Sequence, residues 1–207
     1  YDVIVLYCKP DGHFPNRSPN PALAENLQGL GKKVLESGAN LGVAFDGDGD
    51  RVAFVDENGR AVDNDDIIVL LARYYLEKNP GTIIYDAKCS MVAPEQISKA
   101  GGRPIMARAG HTFSKAAFIK EKALFAGEIS GHFFFCELGY DDGMFAGLKV
   151  CEFVASHGSL AELVDEIPNY ILTPDIRIQY KGTDKEAILD AAANTLSKYN
   201  PNRIDGV

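Results

Sequence analysis

The chain has 207 residues, 46% of them hydrophobic, and a net charge of -8. That length suits one large domain or two smaller ones of ordinary globular composition. The acidic balance argues against a nucleic-acid partner, which would need clustered Lys and Arg, and no apolar run reaches the length of a membrane span.

Residues 1–7 read as a buried strand. No basic region precedes them and no cleavage site follows, so they do not form a signal peptide. The chain lacks an initiator methionine and opens directly in a strand pattern, which leads us to expect a piece of a longer protein. Residues 8–21 are rich in Pro, Gly and Asn and exclude a helix; Ser18 within them reads as a turn serine with no base beside it. A helix is expected over 22–37, with apolar residues at Leu23, Leu27, Leu30, Val34 and Leu35 and Gly38 as its stop.

A buried strand over 41–45 then runs into Asp46-Gly47-Asp48-Gly49-Asp50-Arg51, followed by a hairpin partner over 52–55. A helix is expected from 63 to 78, started by acidic residues and stopped by Asn79-Pro80-Gly81. Strand 82–86, helix 92–100, strand 103–107, helix 113–122, strands 124–126 and 133–135, and a helix from 141 to 156 follow. This alternation implies an α/β class with a layered sheet. Near Pro168 to Pro174 the texture changes. A one-face-exposed strand is expected over 175–180, a helix over 183–199, and the beginning of another strand at 203–207. The four cysteines (Cys8, Cys89, Cys136, Cys151) have no metal-type spacing, so reduced thiols in a cytoplasm are expected.

The chemistry concentrates at the aspartate loop. Asp46, Asp48 and Asp50 would repel one another and raise each other's pKa unless a cation sat among them. Oxygen ligands of this kind suit a hard divalent ion, Mg2+. Arg51, always charged, is suited to hold a phosphate beside it. A solvated acidic turn is disfavoured by the buried strand before it. An EF-hand fails because Arg51 stands where the sixth-position glycine is required, and because a strand pattern follows in place of a helix. Three more loops follow strands and carry polar groups: Asp86-Ala87-Lys88, Gly110-His111, and Gly127-Glu128-Ile129-Ser130-Gly131-His132. In open α/β sheets ligands collect at strand carboxyl ends. Glu128 and Ser130 could take sugar hydroxyls, and Lys88, His111 and His132 could meet phosphate.

Together these residues resemble the α-D-phosphohexomutases, closest to the bacterial phosphomannomutase/phosphoglucomutase branch. Phe45 to Arg51 is similar to the family's metal loop, and Gly127 to His132 to its sugar loop. Leu6-Tyr7-Cys8, Asp11-Gly12-His13-Phe14-Pro15, Asp86-Ala87-Lys88-Cys89, Gly101-Gly102-Arg103-Pro104 and Gly110-His111 fit the same pattern in order. The resemblance implies four domains: layered α/β/α units with mixed sheets, then an α+β C-terminal domain. Residues 1–60 would be the later part of the second, 61–171 the third, and 172–207 the start of the last. It implies Mg2+ on Asp46, Asp48 and Asp50, catalytic roles for Arg51, Lys88 and His132, and substrate binding by Lys88, His111, Glu128, Ser130 and His132. The partner would be a phosphosugar, with hexose 1,6-bisphosphate as activator and intermediate. The family's phosphoserine loop and its main phosphate-clamping loop have no match here, so the missing domains of the same polypeptide are expected partners and the 207 residues alone are expected to be inactive. Two alternatives remain. In a haloacid-dehalogenase-type phosphatase, Asp46 would be nucleophile and Asp48 acid/base, with Lys88 and Asp141-Asp142 as later partners, although Asp50 stands where a threonine or valine is usual. A non-catalytic module would simply hold metal or phosphosugar.

Overall fold

The computed structural model describes residues 1–170 and 179–205. The chain is α/β, and the described residues form two sheets. The first is antiparallel throughout and has the order β1 (Leu41–Phe45), β2 (Val52–Asp56), β3 (Ala61–Val62). A 3-10 turn at Ala24–Leu27 leads into α1 (Gln28–Ser37), which lies on one face of this sheet. Leu27, Val34, Ala44, Ala53 and Val55 form a small core there. Gly38 caps α1 with a left-handed φ of 66°, a conformation that glycine adopts without a Cβ penalty.

The second sheet contains β4 (Thr82–Asp86), β5 (Arg103–Ala107), β6 (Phe125–Gly127), β7 (Phe133–Phe135) and β8 (Tyr140–Asp141), in the order β5-β4-β6-β7-β8. Strand β4 runs parallel to β5 and β6, whereas β7 is antiparallel to β6 and β8, so the sheet is mixed. Side chains alternate across it. Ile83, Tyr85, Phe125, Phe133 and Phe135 face a large core shared with α2 (Asn64–Leu76), α3 (Val92–Lys99), α5 (Gly143–His157) and α6 (Leu160–Asp165). Ile84, Ala107, Ala126 and Phe134 face the other way, onto Phe118 of α4 (His111–Glu121). This is the α/β/α layering expected when a sheet buries both faces. Phe133, Phe134 and Phe135 are each fully buried, and each contributes about 1.5–3 kcal/mol by leaving water. Helix α5 packs on β1 and β2 as well as on α2, so the large core runs unbroken between the two sheets.

Several expectations are corrected. Residues 1–7 form no strand, and Tyr1, Val3, Val5 and Tyr7 are exposed. A strand is stable only when a neighbour pairs its peptide groups; β1 pairs with β2, and no described strand pairs with residues 1–7. Strands β3 and β8 and helix α6 were too short to register as periodic patterns. Helix α4 starts at His111, two residues earlier than the apolar pattern suggests. In the C-terminal part, α7 (Lys185–Thr195) is capped by Asp184, whose carboxylate accepts from the Ala187 N–H, and a 3-10 turn follows at Ser197–Tyr199. The strand expected over 175–180 falls largely outside the described residues. Residues 203–205 form no strand, and the end of that expected strand also lies outside the described residues. Among the described residues no helix is long and apolar enough to cross a membrane.

Candidate active site

The aspartate loop and the 127–132 loop meet. Arg51 and His132 form an isolated antiparallel bridge, and the Val52 N–H donates to the Gly131 carbonyl at 3.1 Å. The Gly143 N–H, at the start of α5, donates to the Gly49 carbonyl at 3.1 Å. Gly131 makes this approach possible. Its φ is +98°, and a Cβ there would stand 2.6 Å from the Val52 carbonyl oxygen. The hairpin β1–β2 therefore delivers its connecting loop onto the carboxyl end of β6.

Ligand atoms of Asp46, Asp48 and Asp50 lie within 4.8 Å of one another. Asp46 is the structural member. Its Oδ1 accepts from the Gly49 and Arg51 N–H groups at 2.9 and 3.2 Å, and its Oδ2 accepts from Arg51 Nε at 2.7 Å. Burial pushes its pKa up, but these hydrogen bonds and the Arg51 charge outweigh burial and hold it below the usual 3.8. Asp48 is exposed. Asp50 titrates above its ordinary value: burial raises it, the His132 charge lowers it, and Asp46 and Asp48 raise it again. Among the described residues Asp50 Oδ1 is buried with no hydrogen-bond partner, and Arg51 Nε stands 4.0 Å away, beyond hydrogen-bond reach. A buried carboxylate oxygen without a hydrogen bond is costly, and a cation among three converging carboxylates would satisfy it. The residues present thus fit a hard divalent ion. Arg51 sits beside this cluster as expected, with its ε nitrogen committed to Asp46. As the nucleophile of a phosphatase, Asp46 would be poorly placed, since its side chain is 2% exposed and tied to the loop and to Arg51, although its oxygens keep lone pairs for a cation.

The 127–132 loop is held from two sides. The Asn64 amide donates to the Ile129 carbonyl at 2.9 Å, and Asp86 Oδ2 accepts from the Ile129 N–H at 3.1 Å. The loop closes on itself through Gly131 N–H to Glu128 O and Glu128 N–H to His132 O, each 3.0 Å. Glu128 is 2% exposed. Ser130 Oγ donates to its Oε2 at 2.9 Å, and Oε1 is buried without a partner. Lys88 is exposed on the loop after β4, where its N–H donates to Asp86 Oδ1 at 2.7 Å. Asp86 therefore ties the Lys88 loop to the Glu128 loop.

His111 and His132 grip opposite oxygens of Asp141. His111 Nε2 lies 2.9 Å from Oδ1, and His132 Nδ1 lies 2.9 Å from Oδ2. Their rings sit 5.0 Å apart, edge to face. Burial pushes the Asp141 pKa up, yet the two histidines outweigh it and bring it down to about 2. For His132, burial lowers the pKa, but the Asp141 bond, with Asp50 and Glu128 nearby, lifts it above the ordinary 6.5. His132 Nδ1 is also 3.8 Å from Asp50 Oδ2, so this ring stands between the two clusters. Sequence reasoning named Asp141 only as a helix opener and as a partner in the phosphatase alternative. The sequence pattern marks Asp86 only as part of a loop and Asn64 only as the start of a helix. Nothing in the spacing signals that Asp141 meets residues 9 and 30 positions away.

Comparison with known proteins follows the same lines. Residues 63–170 match the family model described as phosphoglucomutase/phosphomannomutase, alpha/beta/alpha domain III, and residues 1–59 match domain II of that family. A curated relative named phosphomannomutase/phosphoglucomutase, from Pseudomonas syringae pv. tomato, is 44% identical over 194 residues, which are 92% of this chain and 42% of the relative. A protein of the same name from Pseudomonas aeruginosa is 40% identical over 211 residues, 99% of this chain and 46% of the relative. A crystal structure of a phosphoglucomutase/phosphomannomutase family protein from Burkholderia thailandensis superposes with a TM-score of 0.77 at 40% identity, covering 82% of this chain and 38% of that one. The chain spans less than half the length of these relatives.

Proposed function

Because the chain belongs to the phosphoglucomutase/phosphomannomutase family, we propose that it supplies the metal and sugar loops of an enzyme that moves a phosphoryl group between C1 and C6 of a hexose phosphate by way of a bisphosphate. The observation that carries this reading is the meeting of the two loops: Arg51 bridges to His132, and Asp50 lies 3.8 Å from the same histidine. In this proposal residues 1–60 and 61–171 are the later part of the second domain and the whole of the third, and 172–207 begin the last. The complete reaction belongs to a polypeptide of the relatives' length, and the 207 residues alone are expected not to turn over. Four free cysteines accord with a reducing, cytoplasmic setting.

Each side chain then has a role. Asp46, Asp48 and Asp50 would hold Mg2+, which supplies charge neutralisation for the phosphoryl group in flight. Arg51, held by Asp46, presents a fixed positive charge beside them. Glu128 and Ser130 are bonded to each other, so the half-buried Ser130 hydroxyl is held ready for a sugar hydroxyl, and Glu128 would accept one where the loop opens its buried oxygen to the ligand. Lys88 and His111 would meet the non-reacting phosphate. His132 would carry a proton to and from the reacting hydroxyl while Asp141 holds its ring and favours its charged form. The substrate must turn around midway, and a loop that reads hydroxyls rather than one phosphate tolerates both orientations.

The test is His132→Ala in a polypeptide of the relatives' length, assayed for conversion of glucose 1-phosphate to glucose 6-phosphate with hexose bisphosphate present. Loss of a positioned acid/base should cost about 10²–10⁴ in kcat, with the circular dichroism spectrum unchanged. Wild-type kcat in a folded variant would overturn the role of His132, and a wild-type protein without mutase activity would overturn the reading as a whole.

A further inference from the structure

We propose that His111, His132 and Asp141 form a second metal site, suited to a borderline transition metal such as Zn2+ and chemically distinct from the all-oxygen aspartate cluster beside it. The three residues come from three separate elements: His111 opens α4, His132 closes the loop after β6, and Asp141 ends β8. One ligand atom from each lies within 4.8 Å of the other two. The carboxylate already holds one nitrogen of each ring at 2.9 Å. Zinc bonds of about 2.0–2.2 Å to nitrogen and oxygen at a tetrahedral angle need a nitrogen-to-oxygen separation of roughly 3.3 Å. The two rings lie on different oxygens of Asp141, so for one ion to replace the two protons held there each nitrogen-to-oxygen pair would open by a few tenths of an ångström and the two ring nitrogens, within 4.8 Å of each other, would draw together to about the same separation.

The donor set decides the metal. Two imidazoles and one carboxylate, with a fourth position open to water, are a ligand set of catalytic zinc sites. Imidazole favours Zn2+, Cu2+ and Ni2+, whereas carboxylate and water favour Mg2+. Asp46, Asp48 and Asp50 offer only carboxylates, so the two clusters divide hard from borderline ions. The geometry is set from outside. The His111 ring lies 5.2 Å from that of Phe134, itself fully buried, and the Asp141 side chain is 8% exposed. His111 is the open edge at 39% side-chain exposure, which gives an ion both an entry path and its free position. Asp50 Oδ2, 3.8 Å from His132 Nδ1, adds negative charge beside the site. Under the function proposed above, an ion here would withdraw His132 from proton transfer; the site itself stands independently of that reading.

The experiment is a titration of the intact chain with Co2+, an optical stand-in for Zn2+, in Mg2+ sufficient to saturate the aspartate cluster. A visible absorption band should appear and be displaced by Zn2+. Substoichiometric Co2+ should broaden the ring signals of His111 and His132 in the NMR spectrum, a readout that needs no variant. His111→Asn and Asp141→Asn should each weaken Zn2+ at least about tenfold, while Asp48→Asn leaves its affinity unchanged. Absence of both the band and the broadening would overturn the proposal, leaving a purely hydrogen-bonded pair. So would a Zn2+ site lost in Asp48→Asn but retained in His111→Asn.

Discussion

Asp66→Asn should make the protein's stability less dependent on pH, by an amount the structure lets us bound. Asp66 lies in the first turn of α2 and faces a cavity of about 370 Å³ that it shares with Asp63, Asp65, Ser90 and residues 168–170. Burial, then Asp63, then Asp65, raises its carboxyl from the ordinary 3.8 to about 7. At full burial such a rise would correspond to about 4 kcal/mol, at 1.36 kcal/mol per unit. Asp66 is only partly buried, and the helix N-terminus favours its charge, so solvent screening and the dipole reduce this to on the order of 1–2 kcal/mol. The sign follows from linkage. The folded pKa is above the unfolded one, so the favourable contribution is complete below about 3.8 and is lost as pH climbs through about 7. The stability of the Asn variant minus that of wild type should therefore grow by about 1–2 kcal/mol between about pH 4.5 and pH 8. Urea unfolding followed by circular dichroism measures it. A difference that stays flat across this range would refute the argument.

Gly131→Ala should destabilise the fold by about 2 kcal/mol or more, because the residue has a left-handed φ and its Cβ would meet the Val52 carbonyl at 2.6 Å; thermal melting checks this, and a melting temperature equal to wild type would contradict it. Asp141→Asn removes the hydrogen-bonded charge that most strongly raises His132, so the imidazole should titrate at lower pH than in wild type, followed by NMR. An unchanged His132 titration would assign the shift to Asp50 and Glu128 instead.

The architecture was legible where apolar runs were long enough to show their period. Strands β4, β5 and β7 and helices α2, α3 and α5 stand within a few residues of where the pattern placed them. Two-residue strands such as β3 and β8 carry no period at all, and α6 is a turn and a half. Residues 1–7 misled because strand propensity expresses itself only beside a pairing partner. The metal-loop carboxylates were visible as a local motif. That this loop and the 127–132 loop gather at strand ends was expected; the contacts that join them, Arg51 bridging to His132 and Val52 donating to Gly131, were not legible. Asp141 entered as a site residue only through the phosphatase alternative, and its pairing with His111 and His132 was not legible because those partners are set by tertiary contacts. Glu128 stood out as a polar residue of the 127–132 loop, but its burial against Ser130 emerges only from the packing.

The central claim is that the aspartate loop grips a divalent cation. Isothermal calorimetry of Mg2+ binding, wild type against Asp48→Asn, tests it most directly, because Asp48 is exposed and its change to Asn removes one charge and one ligand without disturbing the Asp46–Arg51 pair. The account predicts affinity weakened at least about tenfold, or about 1.4 kcal/mol. Equal Mg2+ affinity in the two proteins, or no binding by the wild type, would contradict it.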